Sequence, residues 1–220
     1  MVKIDLHVHS NHSDGLNSIE EVIKEAISKD LDGIALCDHD TLEGVKEAQK
    51  IAKGYTFIII PGIEISSKEG HILGLGITKK IRKGMSAKKT IEHIHKQKGL
   101  AIAPHPYGKY IHRSSVGDLI KELDFDAIEV FNSRNINENN KALEIANELN
   151  AVQVAGSDAH TLKTIGKAYT IANCEPNANA FLEKIKEGNV LWIGNKNPLR
   201  NEVYRKLKSF YLSITNKYSL

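Results

Sequence analysis

The start of the chain concentrates side chains that can bind metal ions. The stretch DLHVHSNHSDG, residues 5–15, places His7 and His9 on either side of one valine, and Asp14 follows shortly after them. Because strand side chains alternate between two faces, the imidazoles of His7 and His9 should share one side and could bind one ion. Asp14 adds a carboxylate, another ligand of divalent metals. The segment therefore predicts the first part of a metal site.

A second pair with the same spacing lies late in the chain, where Asp158 and His160 flank a single alanine. Glu64, near the end of an apolar run, is the candidate for a carboxylate that bridges two like-charged ions. Burying so many ionisable groups without compensation would cost several kcal/mol each, and divalent cations remove that cost. Nitrogen and oxygen ligands without thiolates favour zinc, manganese or iron over calcium or magnesium.

The elements that must position these residues are short apolar runs interleaved with amphipathic helical patterns. This alternation indicates βαβ units, and about seven such units without a dinucleotide fingerprint favour a closed barrel. The predicted fold class is α/β, a distorted (β/α)7 TIM-like barrel with the metal site at the C-terminal ends of its strands. Further polar residues expected near that end are Asp38, His39, Asp40, His71, His105, Glu129, Asn132 and Arg134.

Local signals define the boundaries of several elements. Ser18 and Glu21 have the spacing of a capping box and predict a helix that begins directly after Ser18. Asp40 and Glu43 could cap the next helix. The run HILGLGI, residues 71–77, predicts a short strand that pairs locally.

The domain organisation is predicted to be simple. Residues 1–196 should form one domain, followed by a C-terminal amphipathic helix over 197–220 that packs on the barrel. The apolar stripe of this helix consists of Leu199, Val203, Leu207 and Phe210. Its tyrosines and lysines could instead meet nucleic acid or a second subunit, and the oligomeric state stays open.

The composition is that of a soluble globular protein, with 41% hydrophobic and 26% charged residues among 220. No transmembrane helix or signal peptide is expected. The net charge of +3 does not by itself predict nucleic-acid binding, but it suits an anionic small substrate. Two cysteines without CxxC spacing predict no disulfide framework and a cytoplasmic location.

Five segments in order resemble the polymerase and histidinol phosphatase (PHP) superfamily: HVHSNHSDG, ALCDHDTLEG, IIPGIEISS, APHP and AGSDAH. The resemblance runs from residue 1 to about the strand VLWIGN. It is strongest to short, stand-alone phosphoesterases, some of which act on nucleoside 3′,5′-bisphosphates or on the 5′ ends of short nucleic acids. The resemblance therefore implies a phosphoric ester hydrolase.

The resemblance also implies a site of three metal ions. The implied ligands of the first ion are His7, His9, Glu64 and Asp158. Glu64 would bridge to a second ion, held also by His71 and His105, and the third would be held by Asp14, His39 and His160. An Asp at position 14, where histidinol phosphatases of the superfamily tend to have His, favours the nucleotide-type branch.

Such a site predicts attack on phosphorus by a metal-activated hydroxide. The predicted catalytic residues are Asp158, His160 and His39. A second phosphate of the substrate would need a cationic clamp with charge-assisted hydrogen bonds. The predicted substrate-binding residues are Arg134, Arg113, Lys109 and Asn132.

Alternative functions remain open at this point. Within enzymes, they are a phosphatase for histidinol phosphate or another small monoester, and a protein phosphotyrosine phosphatase. A contrasting class is a non-catalytic metal-binding PHP module, which would lack some ligands. The amidohydrolase pattern also begins with HxH, but it uses a carboxylated lysine as the bridge, and no strand-end lysine is evident here.

Several nearby residues have less specific interpretations. Asp38 is expected to orient an imidazole from outside the ligand set. His12 lies at a variable position between motif residues, while His93 and His95 lie on a predicted helix away from the strand ends. Cys37 is expected to be a small buried apolar residue and not a nucleophile.

Overall fold

The computed structural model describes residues 1–108, 114–135 and 137–196, in which nine strands form one sheet. The strands are β1 (Val2–Val8), β2 (Gly33–Leu36), β3 (Ile58–Ser66), β4 (His71–Leu75), β5 (Leu100–Ala103), β6 (Ala127–Asn132), β7 (Gln153–Gly156), β8 (Ala168–Ala172) and β9 (Val190–Gly194). The helices are α1 (Ile19–Ser28), α2 (Glu43–Ala52), α3 (Ala87–His95), α4 (Glu138–Glu148) and α5 (Ala178–Lys186).

The sheet has the order β7-β6-β5-β4-β3-β2-β1-β8-β9 and curls into a nearly closed barrel. Strands β1, β2 and β3 pair in parallel, as do β5, β6 and β7. Where the two edges of the curled sheet approach each other, β7 lies against β1 and β8. The predicted α/β barrel is confirmed.

The described sheet has nine strands, more than the predicted seven, because two of them, β4 and β8, run antiparallel to both of their neighbours. β4 is antiparallel to both β3 and β5, as expected for a locally paired strand. Only residues 67–70 separate β3 from β4, too few for the crossover that a parallel pair requires. Strand β8 is antiparallel to β1, and β9 is antiparallel to β8.

Helix α1 begins as the sequence predicts. The side chain of Ser18 accepts a hydrogen bond from the backbone of Glu21, and the carboxylate of Glu21 accepts one from the backbone of Ser18 at 2.9 Å. These two bonds satisfy backbone donors that the first turn of a helix leaves without partners. The apolar face of the helix is buried against the sheet through Ile19, Val22, Ile23 and Ala26.

The expected cap of helix α2 is wrong. The helix has Leu42 as its N-cap residue, without a side-chain hydrogen bond, and Glu43 is simply its first residue. The carboxylate of Asp40 accepts from the backbone N–H and from the hydroxyl of Ser66 instead, both at 2.9 Å. Asp40 has a φ of 54°, so the chain turns there before the helix begins.

The barrel interior changes from apolar to polar along the strands. Ile58 and Ile60 of β3 belong to a buried cluster that Phe181 of α5 also enters. Glu64 lies further along β3 at the same alternation of faces and is also buried. The ionisable residues therefore lie above an apolar core, at the end of the barrel that the C-termini of the parallel strands reach.

The predicted C-terminal helix over 197–220 lies outside the described residues, as do Lys109 and Arg113. Within the described ranges, no helix combines the length and apolar character needed to cross a membrane.

Candidate metal centre

Glu64 lies at the centre of the polar end of the barrel and is surrounded by imidazoles. Oε1 lies 2.8 Å from His71 Nδ1 and 3.0 Å from His105 Nε2. Oε2 faces three further rings, with distances of 3.3 Å to His7 Nε2, 3.3 Å to His9 Nε2 and 3.4 Å to His39 Nε2. The two oxygens of one carboxylate thus face different sets of histidines, which is the geometry that a bridging ligand requires.

The strands explain why residues so distant in sequence meet here. His71 begins β4, which starts beside the end of β3, since Ser66 pairs with His71 across the two strands. Asp158 follows the end of β7, and its Oδ1 lies 3.5 Å from His9 Nε2. A backbone hydrogen bond of 2.9 Å from His9 to the carbonyl of Ala159 fixes this approach.

Two of the predicted ligands have an uncommon backbone conformation. His105 has a φ of 30° and Asp158 a φ of 52°, in the left-handed region that non-glycine residues seldom adopt. Each such residue costs on the order of 1–3 kcal/mol unless its surroundings hold it. Strain at both positions indicates that the fold directs these side chains into the site.

Asp14 forms the outer side of the cluster. Its Oδ2 lies 3.0 Å from His160 Nε2, and its Oδ1 lies 3.8 Å from His39 Nε2 and 3.7 Å from His9 Nδ1. The side chain of Asp14 is 50% exposed, whereas His9 and His160 are buried. The centre therefore opens to solvent on the side of Asp14.

The donor atoms fit divalent metal ions. In four groups, each side chain offers one donor atom and these atoms lie within 4.8 Å of one another: His9, Asp14, His39 and His160; His7, His105 and Asp158; His7, His9 and Glu64; and His39, Glu64 and His71. Among the described residues, neither ring nitrogen of the buried His9 has a hydrogen-bond partner. A buried imidazole in that state is suited to metal coordination. The structure brings together all nine predicted ligands.

The electrostatics of the cluster follow from burial and close opposite charges. Burial acts to raise the pKa of Glu64, but the imidazoles of His39, His7 and His71 hold it well below its usual value. Burial acts to lower the pKa of His9, yet Asp158 and Glu64 raise it to about 9. Positive charge around Glu64 therefore keeps its carboxylate ionised. When metal binds, the metal cations would supply that positive charge in place of the protonated imidazoles.

The pKa of His160 is shifted in the opposite direction from that of His9. Burial, followed by the charges of His9 and Arg134, lowers the pKa of His160 to about 4. Its imidazole is therefore neutral near pH 7, the form in which histidine coordinates a metal.

Glu129 supports the site from behind and was assigned no role from the sequence. Its Oε1 accepts a hydrogen bond from His7 Nδ1 at 3.0 Å, and its Oε2 accepts from the backbone of His105 at 2.7 Å. The first bond leaves Nε2 of His7 directed at Glu64. A carboxylate behind a histidine fixes the tautomer and orientation of a metal-binding ring. A charged residue inside the apolar strand AIEVFN was the available signal.

Close packing around Glu129 depends on Gly156. A Cβ added at this glycine would lie 2.5 Å from Cβ of His7 and 2.7 Å from Oε1 of Glu129. Both distances are too short for real contacts, so only glycine allows β7 to pass behind the pair.

Two more buried carboxylates hold the backbone of the site. Asp5 accepts hydrogen bonds from the backbone N–H groups of Ser157 and Gly166 at 2.9 Å each, and burial raises its pKa to about 6. Asp38 accepts from the backbone and hydroxyl of Ser10 and from the hydroxyl of Ser13. The prediction that Asp38 orients an imidazole is therefore wrong. It orders the loop between His9 and Asp14 instead.

Arg134 and Asn132 both contact Asp158. Nη1 of Arg134 donates to Asp158 Oδ1 at 3.0 Å and to His160 Nδ1 at 3.2 Å. Asn132 is fully buried, and its Nδ2 donates to Glu129 Oε2 at 2.8 Å and to Asp158 Oδ2 at 3.4 Å. Arg134 thus lies at the edge of the cluster, while Asn132 lies beneath it.

The remaining histidines among the described residues lie apart from the four groups. His12 Nε2 lies 3.0 Å from Glu47, and His95 Nε2 lies 2.8 Å from Asp126. His93 is exposed on α3. Cys37 is buried, as expected, and burial raises the pKa of its thiol well above the usual value.

Comparison with known sequences identifies relatives of this chain. A family profile described as PHP-associated matches residues 137–190. An uncharacterised protein of Methanocaldococcus jannaschii is 38% identical over 143 residues, which are 60% of this chain and 82% of that protein. A 5′-3′ exoribonuclease of Haemophilus influenzae is 44% identical over 81 residues, 35% of this chain and 30% of that enzyme. A 3′,5′-nucleoside bisphosphate phosphatase of Chromobacterium violaceum is 41% identical over 81 residues, 35% of this chain and 28% of that enzyme.

Comparison with solved structures agrees on the fold. A two-domain protein of Bacteroides vulgatus, described as containing a predicted PHP-like metal-dependent phosphoesterase, aligns with a TM-score of 0.76. The alignment covers 88% of this chain and 65% of that one at 19% identity. The barrel and its histidine- and carboxylate-lined mouth, taken with these relatives, define a PHP-like metal-dependent phosphoesterase, a hydrolase. The chain belongs to the PHP superfamily, as its five sequence segments predicted.

Proposed function

We propose that this phosphoesterase hydrolyses phosphate esters of nucleotides, either a nucleoside 3′,5′-bisphosphate or the 5′ end of a short oligonucleotide. The named relatives with these two activities support the proposal, although each matches only about a third of this chain. Asp14 supports it as well, because the nucleotide-type branch is the one expected to have Asp at that position. The observation that carries the proposal is the position of Arg134, 3.0 Å from Asp158 at the edge of the metal-binding groups.

We further propose three metal ions, with manganese, zinc or iron as the candidates. The first would be held by His7, His9, Glu64 and Asp158, and the second by Glu64, His71 and His105. The third would be held by Asp14, His39 and His160. The grouping of His7, His9 and Glu64 and that of Asp14, His39 and His160 with His9 support these sets.

When bound, the ions would lower the pKa of a water molecule and neutralise charge on the phosphoryl oxygens. The chain's own residues have separate tasks. Glu64 holds the imidazoles at fixed positions through both oxygens, and Glu129 keeps Nε2 of His7 directed inward. Asp158, His160 and His39 are the residues that we propose lie nearest to the reacting phosphate, on the side that opens at Asp14.

Arg134 is proposed to hold a phosphate oxygen. Its side chain is 14% exposed, so the guanidinium is partly desolvated while still reaching the mouth. A planar guanidinium forms directed hydrogen bonds to phosphate that a simple monoester site does not need. Asn132 stays a predicted substrate contact, but its complete burial favours support of Asp158.

The test is hydrolysis of four substrates side by side by the manganese-loaded protein, measured as phosphate release and, for the oligonucleotide, also as release of a mononucleotide. These are adenosine 3′,5′-bisphosphate, AMP, a 5′-phosphorylated oligonucleotide and histidinol phosphate. We expect a higher kcat/KM for the bisphosphate or the oligonucleotide than for the other two. Turnover of histidinol phosphate alone would keep the metal centre and overturn the substrate class.

A matched pair of histidine variants separates catalysis from contamination. His9→Ala should abolish phosphate release while the protein stays folded, whereas His93→Ala, an exposed position on α3, should leave activity unchanged. If the metal-loaded wild type hydrolyses none of the four substrates, the result would favour a non-catalytic metal-binding module. The cytoplasmic location stays a prediction.

A further inference from the structure

The antiparallel pair of β8 and β9, called the hairpin here although helix α5 connects the two strands, presents an apolar face to solvent. Leu191 is 64% exposed and Ile193 is 42% exposed, although both lie in a regular strand. Across the antiparallel pair, Leu191 lies opposite Ile171 and Ile193 lies opposite Tyr169. Cross-strand neighbours project to the same side of a sheet, so these four side chains form one surface, called here the hairpin face.

The hairpin cannot turn this face inward. Trp192, on the opposite side of β9, stacks on Phe131 of β6 with ring centroids 5.8 Å apart. Thr170, on the opposite side of β8, exchanges hydrogen bonds of 3.0 and 3.1 Å with the backbone of Ala155 in β7. The inner side is thus fixed against the barrel, and the hairpin face must point outward.

Other parts of the barrel have their outer faces covered by helices. Helices α1 and α2 bury Ile34 and Ile59 of β2 and β3, and α3 and α4 cover β4 to β6. Helix α5, which links β8 to β9, sends Phe181 into the interior cluster instead. Among the described residues, nothing covers Leu191 and Ile193 to a comparable degree.

We propose that residues 197–220 of this same chain cover the hairpin face. The chain leaves β9 at Gly194, and a hydrogen bond from Asn195 to the carbonyl of Lys167 keeps it beside the hairpin. The remaining segment contains an apolar stripe from Leu199 to Phe210. As a helix, that stripe would extend about 16 Å, which matches the roughly 16 Å of a five-residue strand.

The segment fits this face better than a second copy of the chain does. Stable protein interfaces use about 20–30 residues from each partner, far more than the four side chains of the hairpin face. A segment joined through a few residues has an effective concentration in the millimolar range, so a small apolar contact is enough to hold it. The hairpin face is therefore the position of the last outer layer of the barrel.

Amide hydrogen exchange on the full-length protein tests this proposal. Peptides within 199–210 should exchange at least about tenfold more slowly than an unstructured chain. The double variant Leu191→Asp with Ile193→Asp should remove that protection while the amides of β1 and β3 keep theirs. The matched control is Leu149→Asp, a similarly exposed apolar residue after α4, which should leave residues 199–210 protected.

A second variant changes the segment instead of the barrel. Val203→Asp with Leu207→Asp should remove the same protection, and both positions lie outside the described residues. Unprotected residues 199–210 in the wild type would overturn the proposal, as would protection that survives both double variants. Light scattering then measures the oligomeric state of the wild type and of the Leu191 and Ile193 double variant. If the wild type is a dimer and the variant is a monomer, a second copy of the chain covers the hairpin face and the proposal is overturned.

Discussion

Glu129 and His7 are joined by a hydrogen bond of 3.0 Å between Oε1 and Nδ1, and both side chains are buried. The other nitrogen of the ring, Nε2, lies 3.3 Å from Glu64. One imidazole therefore connects two carboxylates that differ in role. Glu64 faces the space among the histidines, whereas Glu129 lies behind them.

Replacing Glu129 by Ala should weaken metal binding without removing any proposed ligand. His7 would lose the acceptor that fixes its ring, and comparable losses at other metal sites reduce affinity about 10–100-fold. Titration calorimetry with Mn²⁺ measures the change. Glu122→Ala, an exposed glutamate, is the control and should bind like the wild type. Unchanged affinity in the Glu129 variant would remove its supporting role.

Asp158 allows the backbone strain to be separated from the chemistry. Asp158→Asn and Asp158→Ala should both abolish phosphate release, because both lose the carboxylate. Asn tolerates the φ of 52° far better than Ala, so the Ala variant should be less stable by about 1 kcal/mol. Urea unfolding of the metal-free proteins measures this difference. Equal stability would mean that the left-handed conformation costs nothing there.

Gly156→Ala should destabilise the protein by about 1–3 kcal/mol, because the new methyl group would overlap His7 and Glu129. Gly54→Ala is the matched control, since a Cβ at Gly54 meets nothing within 4 Å. The control should change the free energy of unfolding by no more than about 0.5 kcal/mol. Denaturant unfolding measures the change in the free energy of unfolding for both variants. Similar changes in the two would contradict the close packing of Gly156 against His7 and Glu129.

Arg134→Lys keeps the charge but loses the planar guanidinium. The KM for the bisphosphate should rise by about tenfold or more, whereas the KM for AMP should change less. Metal content measured by mass spectrometry should stay at the wild-type value. Arg82→Lys, at an exposed position, serves as the control. An equal effect on both substrates would show that Arg134 does not hold the second phosphate.

Metal binding should stabilise the fold, because the four donor groups assemble only in the native barrel. Free Mn²⁺ at 100 times its Kd should add about 2.7 kcal/mol to the free energy of unfolding. Thermal unfolding with and without EDTA measures the shift. His9→Ala should reduce the shift strongly, and an equal shift in that variant would place the bound ion elsewhere.

The sequence predicted the proposed ligands because ligand chemistry is local. HxH, DxH and a strand-end glutamate each combine side-chain type with a period of two, so they could be recognised before the fold was known. Glu129 and Asp5 could not be assigned in the same way. Each is a charged residue in an apolar strand, and its partners, His7 for one and Ser157 for the other, are distant in sequence.

The errors at Asp38 and Asp40 have the same origin. Both residues stand at positions where a cap or a contact with an imidazole is chemically reasonable. The hydroxyls of Ser10 and Ser66 were the actual partners, and those residues lie 28 and 26 positions away in sequence. Side-chain type alone does not specify which of several possible donors the fold brings nearest.

The barrel nearly closes where β7 lies against β1, and this contact also determines when the metal centre can be completed during protein synthesis. Ser157 donates to the carbonyl of His7 across 150 residues of chain. On the ribosome, the first histidines emerge at once, but their carboxylate partner at Asp158 emerges only after most of the chain has been made. Pairing of such distant segments is slow, since loop-closure entropy must be overcome first. Newly made chains should therefore complete the ligand sets of the first and third ions only after most of the barrel has been translated.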